Sequence, residues 1–244
     1  MSHLPATMNP THEPIAAGWG VAVRWLRHAG TLFRRAPLRF WLLALLPIVV
    51  EGLVQLLPTF GVVASKLLTP LASAWVLLMV DRRVRAGTFA PAAAARTAWG
   101  RAWSILLLAA VAVLAFAFQV GVAFLLGGAA QAGALATGNL AAITFTRGQL
   151  AAVLVSGLLP AAFMFFAAPR VVIDGLGVGA ALVENARRLA LLWRPVLAYT
   201  VAMGALIAGM LWQPWLLLVL LPFGVYVSYA AYRDVFDPAG PATA

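Results

Sequence analysis

The chain has 244 residues, of which 64% are hydrophobic and only 10% charged, with a mean hydropathy of +0.95. Soluble domains are typically about half apolar and about a quarter charged, so this composition excludes a water-soluble fold. Seventeen basic residues against seven acidic ones give a net charge of +10, and there is no cysteine, which rules out disulfides, thiolate nucleophiles and thiolate metal sites.

In chain order, residues 1–17 carry neither a basic leader nor an apolar core and are broken by Pro5, Pro10 and Pro14. They are expected to form a disordered cytoplasmic tail rather than a secretory signal. Residues 18–236 are expected to form a single integral membrane domain, with a second tail over 237–244. At the start of that domain Trp19, Ala22, Val23, Leu26, Ala29 and Phe33 recur at helical spacing, while Arg24, Arg27, His28, Thr31 and Arg35 make the opposite stripe. Arginine and tryptophan on opposed faces predict a helix lying in the membrane interface. A helix packed against protein would give the same pattern.

A transmembrane helix needs about 20 mostly apolar residues. Such stretches fall near 38–57, 60–80, 103–126, 149–168, 196–212 and 214–231. Pro58-Thr59 and Gln213-Pro214 leave almost no loop inside the first and last pairs, so the expected fold is all-α: six spans arranged as three hairpins. Lipid offers the backbone no hydrogen-bond partner, which forces each span to be a helix. Two further amphipathic segments precede the second and third hairpins. Pro91 to Arg101 sets Ala92, Ala95, Trp99 and Ala102 against Arg96 and Arg101. The other sets Val178, Leu182, Ala186, Leu189 and Trp193 against Glu184, Arg187, Arg188 and Arg194. The expected layout is therefore an interfacial helix followed by a hairpin, three times over. The Gly/Ala-rich stretch 127–148 is read as an outer loop.

Charge sorts along this layout. Fifteen of the sixteen arginines lie before the first span, between spans two and three, between spans four and five, or after span six. Arg24, Arg27, Arg34, Arg35, Arg82, Arg83, Arg187, Arg188 and Arg194 are the candidate lipid-headgroup residues, with Trp19, Trp99 and Trp193 as interfacial anchors. Arg147 alone falls on the other side. The positive-inside rule then places both termini in the cytoplasm of a bacterial inner membrane. The partners this implies are anionic phospholipids of the bilayer and a possible partner membrane protein, not nucleic acid.

Within the spans only Glu51 and Lys66 are ionisable. Each sits seven residues from the turn of the first hairpin, so both lie about 10 Å below it on adjacent helices. An ion pair is the natural outcome, with Gln55 one turn from Glu51 on the same face. Such a pair locks the hairpin in register, or it serves an ion or solute pathway. Histidine occurs only at positions 3, 12 and 28, and no zinc-protease, serine-hydrolase or phosphate-loop motif is present. Asp81 and Asp174, each beside arginines at a span edge, are the remaining candidates for chemistry at a lipid headgroup. Otherwise the chain is expected to be non-enzymatic and to need no cofactor or metal.

The exit Ser228-Tyr229-Ala230-Ala231-Tyr232-Arg233-Asp234-Val235-Phe236, the Phe165-Phe166-Ala167-Ala168-Pro169 run and the Gly18-Trp19 to Pro37 opening resemble a family of uncharacterised proteobacterial inner-membrane proteins. Their layout is similar to the membrane region of some glycerophosphodiester phosphodiesterases. The resemblance implies fold and location. It brings no catalytic residue, and the chain has no hydrolase domain. Two roles stay open: a scaffold or accessory protein engaging anionic lipid or a partner, and a small-solute transporter or channel using the Glu51/Lys66 region.

Overall fold

A computed structural model describes residues 18–57 and 60–237. The tails expected over 1–17 and 237–244, apart from Asp237, and the Pro58-Thr59 turn lie outside the described residues. All regular structure within them is helical. Five helices are long and apolar enough to cross a membrane, and a bent pair makes a sixth candidate.

Helix α1 (Gly20–Arg34) leads into α2 (Pro37–Gln55) and α3 (Gly61–Ala86). Proline at the first helical position starts α2, where its missing N–H costs nothing. Gly87 in the left-handed conformation ends α3, satisfying a terminal carbonyl. The short α4 (Pro91–Gly100) precedes α5 (Ala102–Thr137). The next apolar stretch, the bent pair, is assembled from α6 (Arg147–Ser156), α7 (Leu158–Ala162), α8 (Ala167–Pro169) and a π-helical turn over Arg170–Asp174. The last unit is α9 (Val178–Leu191), α10 (Trp193–Met210) and α11 (Leu217–Phe236). The element order is thus a shorter helix followed by two long apolar segments, three times.

The long segments neighbour one another in a closed circuit. α2 packs on α3, α3 on α5, α5 on α6 and α7, α6 on α10, α10 on α11, and α11 returns to α2. Large apolar side chains such as Leu42, Leu53, Leu114, Leu125, Val201 and Leu218 point outward and are exposed. In water this would be prohibitive, since soluble monomers rarely expose apolar patches above a few hundred Å². The surface suits hydrocarbon as solvent. Trp212 and Trp215 are exposed at one end of α10 and α11, whereas Trp19, Trp99, Trp103 and Trp193 are exposed at the other ends of the helices that carry them. Tryptophan at both ends of an apolar band is the signature of two membrane–water boundaries.

The core is aromatic. Trp25, Phe40, Phe166, Tyr226 and Tyr232 are almost fully buried. Trp25 meets Phe165 and Phe166 at 5.9 and 6.2 Å between ring centroids, and Tyr199 stacks on Phe223 at 5.6 Å. The periodicity of α1 did not single out its protein-facing side. The buried face is Val21, Trp25 and Ala29, packed on α11, while Trp19, Val23 and Leu26 remain exposed. α9 is rotated in the same sense, burying Ala181 and Asn185 and leaving Ala186 exposed. The reason is that the apolar arc of each helix is wider than one contact surface. Tertiary packing decides which part of it turns inward.

The stretch 127–148 is also not a plain loop. α5 continues through Thr137 after a break at Gly128 (φ 74°, ψ −174°), a conformation only glycine adopts without strain. Alanine's high helix propensity carries the segment onward. Gln131 then clamps the return: its amide donates to the Ala142 carbonyl (3.1 Å) and its oxygen accepts from the Thr144 N–H (2.9 Å). Thr146 and Gln149 form a capping box that starts α6.

Candidate functional site

The polar residues form three groups. The first is inside the first pair of long helices. Lys66 Nζ donates to Glu51 Oε1, and Gln55 Nε2 donates to the same oxygen (3.1 Å). Gln55 also lies 3.4 Å from the Ser65 hydroxyl, which donates to the Val62 carbonyl (2.7 Å). The Lys66 ammonium sits 5.6 Å from the centre of the Phe116 ring on α5. The close α2–α3 approach that permits this occurs at Gly61, where an added Cβ would fall 2.6 Å from the Val54 carbonyl oxygen. Glu51, Lys66 and Gln55 are therefore one cluster, and Phe116 is a member that sequence spacing did not suggest.

The second group is an ion-pair network around the end of α11. Arg24 holds Asp234 through two bonds of 2.9 and 2.7 Å, and the Trp25 indole N–H donates to the same carboxylate (2.9 Å). Arg85 joins Asp81 (2.8 Å) to Asp237 (2.9 Å), and Arg233 reaches Asp237 at 3.3 Å. Arg170 joins Asp174 (2.6 Å) to Glu184 (3.0 Å). Two tyrosines on α11 tie the network to the core, Tyr229 donating to Asp81 (3.0 Å) and Tyr232 to Asp174 (2.7 Å). Both aspartates considered for chemistry are thus committed to an arginine and a tyrosine. Among the described residues no group of three or more histidines and carboxylates gathers to hold a metal.

The network divides the candidate headgroup residues. Arg24 is spent on Asp234. Arg82 donates to Thr97 (3.1 Å), fastening α4 to α3. Arg83 caps α3 at the Gly87 carbonyl and faces the Phe89 ring, and Arg188 lies 5.3 Å from the centre of Phe236. By contrast Arg27, Arg34, Arg35, Arg187 and Arg194 are exposed, as are Trp19, Trp99 and Trp193. Arg24 is the half-exposed partner of its ion pair, so Arg24→Gln should cost only about 1 kcal/mol. Thermal unfolding in detergent should show a small shift; loss of the folded state would mean that the bidentate pair matters far more than its exposure implies.

The third group repairs a broken helix. The two halves of the bent pair, 147–162 and 167–174, meet at 55°. Buried Asn185, from α9, inserts its amide there: Oδ1 accepts from the N–H groups of Phe166 (2.7 Å) and Ala167 (3.3 Å), and Nδ2 donates to the Phe163 carbonyl (2.9 Å). A second discontinuity at Gly157 is served from α5, where Gln119 donates to the Leu154 carbonyl (3.0 Å). Gly157 leaves room for it, since a Cβ there would come within 2.5 Å of the Gln119 amide. At the far end Arg101 donates to the carbonyls of Val172 and Ile173 (the latter at 2.7 Å). Asn185 was not among the expected site residues. The available signal was a lone amide on the apolar side of α9, four residues from Ala181 and seven from Leu192.

Comparison of the chain with protein-family models, curated proteins and solved structures returns no match. The functional reading therefore rests on physical chemistry.

Proposed function

We propose that this protein is a non-enzymatic, multi-pass protein of a bacterial inner membrane, with six spans as three hairpins and both termini cytoplasmic. Its role is that of a scaffold or accessory protein whose arginine-rich end engages anionic lipid or a partner membrane protein. The observation that carries this reading is the fate of the carboxylates. Asp81, Asp174, Glu184, Asp234 and Asp237 are all consumed by internal ion pairs, and two of these pairs, Arg24–Asp234 and Arg85–Asp237, tie α1 and α3 to the end of α11. What is left facing outward there is cationic and aromatic, the chemistry that suits an anionic headgroup layer. The resemblance to uncharacterised proteobacterial inner-membrane proteins belongs to the same proposal.

The absence of native cysteine makes the orientation directly testable. A cysteine placed at Ala142 should react with a membrane-impermeant maleimide added from the periplasmic side, and one placed at Ala95 should react only after the cells are opened. The reverse pattern would refute the threading and the lipid role together.

The transporter reading draws support from one observation: broken helices often mark solute sites, and the fourth crossing is broken. Yet the groups freed at the break are met by neutral amides from Asn185 and Gln119, not by ionisable residues. Glu51 and Lys66 lie on other helices. That division favours structural roles for both.

A further inference from the structure

The exposed faces of α1 and of the α9–α10 junction meet. Trp19 and Trp193, 53% and 52% exposed, touch edge to face with ring centroids 6.2 Å apart. On α1, Val23 and Leu26 continue the exposed face from Trp19 at helical spacing, and on α9 Val183 and Leu191 are also exposed. The opposite face of α1 is fixed: Val21, Trp25 and Ala29 are buried, and Arg24 and Trp25 hold Asp234. α1 is therefore preorganised, with one side committed to protein and the other left open. No residue of the strip needs to fold on binding, which removes an ordering cost.

Cations border the strip. Arg27 and Arg34 are exposed on α1 and have no hydrogen-bond or ion-pair partner among the described residues. Arg194 is exposed and lies over the Trp193 ring at 5.3 Å. Arg187 lines an open cleft of about 460 Å³ beside α9, whose wall also includes Val183 and the ion-paired Arg170 and Glu184. The acids nearest to these elements, Asp234, Asp174 and Glu184, are already paired with Arg24 and Arg170. The strip is therefore apolar in the middle and positive at its margins, with no acid left unpaired nearby to repel phosphate.

We propose that α1 and the α9–α10 junction, meeting at Trp19–Trp193, form one membrane-facing surface that binds anionic phospholipid through Arg27, Arg34, Arg187 and Arg194. Of the other predicted headgroup arginines, Arg24, Arg82, Arg83 and Arg188 serve the fold instead. This deepens the lipid reading above and rests on it. A basic side chain next to an anionic leaflet strengthens binding about fivefold, so four together contribute on the order of a hundredfold or more.

The test is native mass spectrometry of the full chain released from micelles containing phosphatidylglycerol or phosphatidylcholine. Wild type should retain phosphatidylglycerol preferentially. Arg27→Gln/Arg34→Gln/Arg187→Gln/Arg194→Gln should lose that preference while keeping its helical content and elution volume. Arg24→Gln, which loses the same type of charge from the protein-facing side, should keep it. If the quadruple variant retains phosphatidylglycerol as well as wild type does, this surface is wrong although lipid binding stands. Equal weakening by Arg24→Gln would also overturn the surface, because bulk charge alone would then explain retention. If wild type itself shows no preference for phosphatidylglycerol, both the surface and the lipid reading fall.

Discussion

Replacing Asn185 with leucine, close to it in size, should destabilise the protein by about 3 kcal/mol or more. The substitution strands the Phe163 carbonyl and the Phe166 and Ala167 N–H groups, all of which the Asn185 amide now serves. A buried polar group left without a partner costs about 1–3 kcal/mol, and little water reaches a position where Asn185 is 1% exposed. The loss should be local before it is global. Hydrogen exchange should rise first across residues 163–167, at the bend itself, because that segment depends on a side chain from another helix. Asn185→Asp would preserve the acceptor but not the donor, and it adds a buried charge, so it should not rescue. Should the leucine variant unfold at the wild-type temperature with unchanged exchange at 163–167, the break would have to be satisfied in some other way. The assignment of Asn185 as its repair would then fail.

Lys66→Met should be severely destabilising, whereas Lys66→Met combined with Glu51→Gln should recover most of the loss. Removing one partner of a fully buried ion pair costs about 3–5 kcal/mol; Glu51 and Lys66 are each 27% exposed, but where hydrocarbon replaces water around them the remaining charge is likewise left in a medium that cannot solvate it. Here Glu51 would keep only the Gln55 amide (3.1 Å). Removing both charges eliminates that penalty, and a neutral pair of similar volume is often as stable as the ion pair it replaces. A pair that only fixes the register of α2 against α3 predicts this recovery, measured by thermal unfolding in detergent. A functional relay predicts something else: the double variant would be stable but would lose a proton or solute flux that wild type carries in liposomes. Observing such a flux in wild type would displace the scaffold reading.

The quantities that could be read from the chain were one-dimensional. Apolar stretches long enough to span a bilayer, arginines gathered in alternate gaps and seven-residue offsets of Glu51 and Lys66 from one turn all depend only on position along the sequence. Hydrophobic length and electrostatic sorting act on segments, so segments suffice to find them. The rotation of each amphipathic helix was not readable. α1 carries tryptophan at both 19 and 25; the stripe expected at the interface contains Trp19, but nothing in the periodicity says that Trp25 goes to the core. Nor did composition separate helix from loop after Gly128, where alanine is compatible with both.

The chain by itself therefore determined that this protein is helical, apolar and built to sit in a membrane, because burial in lipid sets a length and a composition that any arrangement must meet. Only the tertiary structure decided which arginines are spent on carboxylates and which remain outward. It alone showed that the helix after Arg147 is broken, and that Asn185 and Gln119 meet backbone groups at its breaks. Beyond the i,i+4 pairs Arg85–Asp81, Arg170–Asp174 and Arg233–Asp237, those outcomes depend on which surfaces meet across more than a dozen residues of chain. A single amide or guanidinium has no periodic signal to announce its partner.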